Sequence, residues 1–192
     1  MVPRAEIAHW LAGSVVLLLG LILLSEVIVG SQVFNRRRWR AYLWPSLALV
    51  GGVLLWVVAI FSTFSTMHLL AHAVWAQVAM IAGAVQLAVV RGKLTSPRWA
   101  FVNSAALLVS GIAFLVHEQN DWLFSRSAFL HHAIGWTCVV AALFPIGQAL
   151  QPRRRVWSTG FALSFVVIAV FLYSDRDVAP IFGHLSDLAG RP

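Results

Sequence analysis

The chain reads as an all-α membrane protein, a bundle of six transmembrane helices with both termini outside the cell and a short C-terminal helix on the membrane surface. Three observations predict this. Hydrophobes make up 60% of the 192 residues and charged residues only 11%, with a mean hydropathy of +0.82, a balance too apolar for a water-soluble domain. Apolar runs of roughly 20 residues, the length that crosses about 30 Å of hydrocarbon, recur along nearly the whole chain. Basic residues collect in alternate connections.

The runs cover residues 8–34, 42–63, 67–90, 99–117, 128–150 and 156–174, so that residues 1–174 form one helical domain. The connections carry the breakers and interfacial aromatics expected there, including Pro45, Pro97, Pro152, Trp39, Trp44, Trp99, Trp122 and Trp157. The first run is long, lacks an Ala-x-Ala cleavage site and leads into NRRRWR. It therefore reads as a retained helix, not as a cleaved leader. Beyond the sixth run, Ile181, Phe182, Leu185 and Leu188 recur at helical spacing, so residues 175–192 are expected to lie as an amphipathic helix at the interface.

Charge sets the orientation. Arg36, Arg37, Arg38, Arg40, Arg91, Lys93, Arg98, Arg153, Arg154 and Arg155 fall in the first, third and fifth connections, which is ten of the fourteen Lys and Arg. The positive-inside rule places those connections in the cytoplasm and both termini outside. Six of the seven acidic residues sort to the other side, and only Glu26 does not. The net charge of +7 is thus a signal of orientation and of contact with anionic lipid, not of nucleic-acid binding. The single cysteine, Cys138, excludes a disulfide framework within the chain and a Cys-x-x-Cys thiol site.

Seven histidines all fall toward the outer side. His9 and His184 read as ordinary interfacial residues. The other five sit at one depth on three helices: His68 and His72 open the third run, His117 closes the fourth beside Glu118, and His131 and His132 open the fifth. Ionisable groups inside a membrane segment are costly and tend to mark function. Residues four apart share a helix face, so His68 and His72 suit one ion, whereas the adjacent His131 and His132 diverge by about 100°. The expected metal site is His68, His72 and one of His131 or His132, completed by His117 or Glu118. Imidazole suits copper, zinc and iron alike. No catalytic residue stands out, and the chain reads as a binding protein more than an enzyme.

The stretch MHLLAHAVWAQVAMIAGA at 67–84 resembles a helix of the copper-resistance D (CopD) family. The segment LVHEQNDWLFSRSAFLHHAIGW at 115–136, with FLYSDRD at 171–177, is similar to CopD-like bacterial membrane proteins. The resemblance covers roughly residues 67–177 and departs from the family at Trp75-Ala76-Gln77-Val78, where Trp-x-Gly-Gly is expected. It implicates His68, His72, His117, Glu118, His131 and His132 in extracytoplasmic copper handling, with an extracytoplasmic copper chaperone or oxidase as partner. Sulfur and amide groups deeper in the bilayer, Met80, Cys138, Gln77, Gln86 and Gln148, are too sparse for a complete channel. Glu26 is expected to pair with Gln86, Arg91 or a neighbouring polar group, or else to remain protonated.

Other classes compete. A single outer b-type haem between His68 or His72 and His131 or His132, with Ala133 and Gly135 admitting a flat ring, gives an electron-transfer subunit. His-x-x-x-His also partly matches a histidine-box iron oxygenase. A scaffold or homo-oligomer packing through Gly20, Gly51, Gly52, Gly83 and Gly111 is the fourth reading.

Overall fold

The computed structural model describes residues 4–62, 66–116 and 126–174, and side chains over 8–60, 69–116 and 128–174. The expected surface helix at 175–192, with His184, and the connection holding His117, Glu118 and Asp121 lie outside the described residues. Everything regular in the described part is helical: α1 Arg4–Val29, α2 Ser31–Phe34, α3 Leu43–Ser62, α4 Thr66–Val90, α5 Ala100–Val116, α6 Arg126–Ala141, α7 Leu143–Leu150 and α8 Arg155–Ser174, with 3-10 turns at Arg38–Tyr42 and Pro97–Trp99. Six stretches among the described residues are long and apolar enough to cross a membrane. The protein is an all-α, multi-pass membrane protein built as a six-helix bundle.

Local chemistry places the ends. The first run breaks at Gly30, whose φ of 88° is left-handed, so α1 stops there and only the short α2 follows. Pro45 falls in the first turn of α3, where its missing N–H costs no hydrogen bond. After α4, Gly92 takes φ 71°, the Lys93 N–H donates to the Ala88 carbonyl at 2.9 Å and the Gly92 N–H to the Val89 carbonyl at 2.9 Å. That pair of bonds is a Schellman cap, which ends the helix before the basic connection. The fifth run, expected as one helix, is divided at Ala142 into α6 and α7. Pro145 is the cause, because it has no N–H to offer the Ala141 carbonyl one turn back.

The spans form a closed ring. Each packs on its neighbour in sequence, α1 on α3, α3 on α4, α4 on α5, α5 on α6 and α7, these on α8, and α8 back on α1. Contact between helices is close where glycine removes the side chain, as membrane packing favours. A Cβ on Gly83 of α4 would stand 2.8 Å from the Pro45 carbonyl oxygen and 3.0 Å from the Leu49 nitrogen of α3. A Cβ on Gly111 of α5 would stand 2.8 Å from the Gly135 carbonyl oxygen of α6.

Two apolar clusters fill the interior. Leu23, Leu107, Ala141, Ala142, Phe161 and Ala162 occupy the half nearer the arginines, and Ile134, Cys138, Ile168 and Leu172 the half nearer the histidines. Cys138 is therefore a core residue. Outside, leucine, isoleucine, valine and tryptophan side chains are exposed along every span, among them Leu18, Val53, Ile81, Ile112, Trp136 and Val170. In water such a surface would aggregate, and in a bilayer it is solvated by acyl chains. The ten basic residues of the first, third and fifth connections cluster at one end, all exposed except the half-buried Arg40. Arg40 lies over the Phe34 ring at 5.5 Å and the Trp39 ring at 5.8 Å.

Candidate functional site at the histidine end

At the opposite end the N-terminal turns of α1, α4 and α6 meet the C-terminal turn of α5. His131 is 4% exposed, turned into the bundle by the pitch of α6. Its ring stands 5.8 Å from the His9 ring of α1, edge to face at 69°, and 5.6 Å from the Phe114 ring of α5. Phe114 in turn stacks on Trp75 of α4 at 4.1 Å and 22°. Trp75 carries His72 on its other edge, with centroids 5.1 Å apart. The Trp75 indole N–H donates to the Ser110 carbonyl at 3.3 Å, which fixes the stack between α4 and α5.

His9, His131, Phe114, Trp75 and His72 thus run as one chain of rings through four helices. Further along α1, the Ser14 hydroxyl and the Tyr173 phenol hydrogen-bond at 2.7 Å, closing α1 onto α8.

The sequence-derived residues divide as follows. Of the adjacent pair, His131 points inward and His132 is exposed on the outside of the helix. The His132 Nδ1–H donates to the Ala128 carbonyl at 2.8 Å, which ties the ring to its own helix. His72 is half-buried, with the Trp75 and Phe114 rings between it and His131. His68 lies in the first turn of α4, and its side chain is outside the described residues, as are His117 and Glu118 entirely. Among the described residues no three His, Cys, Asp or Glu side chains gather around one point. The pair that the described residues do bring together is His9 with His131.

The sequence reads His9 as an interfacial residue, and the structure sets its ring 5.8 Å from that of His131. A lone histidine one turn into the first helix carries no spacing signal, and only the ring closure of α1 against the last spans brings it near α6. At Gly135, one of the small residues of the haem reading, a Cβ would stand 2.8 Å from the Leu115 side chain and 3.1 Å from the Gly111 carbonyl oxygen. Chemically, a buried imidazole beside a second one can bind a metal ion or pass a proton. A shared metal ion would need one nitrogen of each ring turned toward it at about 2 Å, and the ring centres stand 5.8 Å apart.

At the arginine end, Glu26 pairs with Asn35, whose side-chain N–H donates to the carboxylate at 3.1 Å. Asn35 is the neighbouring polar group that the sequence left unspecified. Comparison of the chain with models of protein families gives no match, and no curated protein matches it.

Proposed function

We propose that this protein holds copper at the extracytoplasmic end of its bundle, in a bacterial plasma membrane, for uptake, storage or delivery to an extracytoplasmic chaperone or oxidase. The supporting observation is the buried His131 ring paired with His9 across α6 and α1. Imidazole is the donor common to copper, zinc and iron sites, and the CopD-like stretches at 67–84 and 115–136 favour copper among them. His72, with His68 on the same helix face, extends the reading to a second ligand pair, and His117 with Glu118 supplies the remaining donors.

In this reading His131 and His9 grip the ion, and the Trp75–Phe114 stack keeps water from following it inward. The ten basic residues at the far end hold the orientation. Copper has no need of a nucleophile or general base here, so the role is binding, not catalysis.

The test is direct. Protein purified in mild detergent is expected to retain copper by elemental analysis and to show no haem Soret band. A Soret band, or iron without haem, would replace copper by the cytochrome or the oxygenase reading, and an empty protein that fails to take up added copper would remove the site.

A pH dependence follows from the same chemistry. A ligating imidazole must be unprotonated, so protons compete with copper as pH falls through the ordinary histidine range near about 6.5. Bound copper is expected to drop several-fold between about pH 7.5 and pH 5.5, as read by equilibrium dialysis. Unchanged occupancy over that interval argues against histidine ligands.

A further inference from the structure

A cavity of about 870 Å³ opens at the arginine end of the bundle, lined by all six spans. Its polar walls come from Glu26 of α1, Gln86 of α4, Asn103 of α5 and Gln148 of α7, and from Arg153 and Arg155 at the start of α8. Each of the first four lies within about one turn of its helix end, roughly 6 Å at 1.5 Å per residue. That is the level at which acyl chains give way to headgroups. Deeper walls are apolar, with Leu23 and Phe161.

The charges of this cavity are divided. Arg153 and Arg155 are exposed and bring two guanidiniums, the side chain best suited to phosphate. Glu26 is an acid within a membrane span, yet none of the described cations pairs with it. The hydrogen bond its carboxylate receives among the described residues is the one from Asn35. Beside it the Asn35 Oδ1 is buried and accepts no hydrogen bond. Of the two, Glu26 lines the cavity and Asn35 does not, so the carboxylate, which receives one hydrogen bond from Asn35, keeps lone pairs for an N–H-bearing cation that enters there.

We propose that this cavity binds a phosphoethanolamine group, with its ammonium on Glu26 and its phosphate on Arg153 and Arg155. The group can arrive on an inner-leaflet phospholipid or as the free phosphate ester. The apolar deep wall and the headgroup depth suit the lipid. This site stands apart from the copper reading and survives its failure.

The experiment uses the full chain in nanodiscs containing equal parts of phosphatidylethanolamine, phosphatidylcholine and phosphatidylglycerol, with retained lipid read by native mass spectrometry. Phosphatidylethanolamine is expected to be retained at least about fivefold over the other two. Choline carries the same charge without an N–H, and glycerol carries no cation, so this comparison needs no variant. Isothermal titration of detergent-solubilised protein with O-phosphoethanolamine separates the sources. Binding there, with the nanodisc preference absent, assigns the site to the free ester, and the preference without such binding assigns it to the lipid. Both together mean that the head is recognised from either source. Equal retention of the three lipids without titration binding overturns the proposal, as does a preference for phosphatidylglycerol. Glu26→Gln and the double variant Arg153→Gln/Arg155→Gln should each lower the selective binding about tenfold, and unchanged selectivity in both would assign it to other residues.

Discussion

Replacing His131 by glutamine is expected to strip the protein of most of its copper, at least about tenfold in bound metal at a fixed low free concentration, because one lost imidazole is worth at least that factor in a site with few ligands. His132→Gln should leave most of the copper in place. The two histidines are neighbours in sequence but opposites in setting: His131 is buried against His9 and Phe114, whereas His132 is exposed and hydrogen-bonded to its own helix. His9→Gln is expected to follow His131→Gln, because the ring beside it is its nearest described imidazole. Elemental analysis of the three variants, each checked for monodispersity, decides the matter. Equal copper in His131→Gln and the unmodified protein would sink the site.

The second large effect concerns packing. Gly83→Val should destabilise the bundle by about 1–3 kcal/mol, the usual cost of forcing methyl groups into a filled interface, because its Cβ meets, besides the Leu49 side chain, two backbone atoms, the Pro45 carbonyl oxygen and the Leu49 nitrogen. Backbone cannot rotate away as a side chain can, so α3 and α4 must separate. Ala84→Val, one residue along on an exposed position of α4, is expected to stay within about 0.5 kcal/mol. At about 2–4 °C per kcal/mol for a chain of this size, thermal unfolding in detergent resolves the two. A Gly83→Val protein as stable as Ala84→Val would mean that the α3–α4 contact is looser than described.

The spans were legible in the sequence because hydrophobic length is a sum over about 20 residues, and single exceptions do not disturb it. Glu26 and the histidines left the runs recognisable. Breaks inside the runs were less legible. Pro145 and Gly30 were visible letters, but a proline or glycine in a membrane helix is often tolerated, and letters alone do not say whether the helix continues. The site was half legible. A divergence of about 100° between His131 and His132 says that one points inward, and the neighbours in space decide which.

His9 was out of reach for a different reason: its partner lies 122 residues away in sequence, and no local pattern links them. The cavity at the other end was hidden in the same manner, since Glu26, Gln86, Asn103 and Gln148 are single polar residues on four separate helices.

The pairing of α1 with α8 has a consequence for biogenesis. Gly20 waits for Val166 and Phe165, which are its packing partners and are made about 145 residues later, roughly 7–30 s at ribosomal speeds of about 5–20 residues per second. Until then α3 covers one side of α1, and the translocon or its lipid surroundings must shelter the side that α8 will cover. Truncation ahead of the last span therefore leaves an open arc, a natural substrate for membrane quality-control proteases.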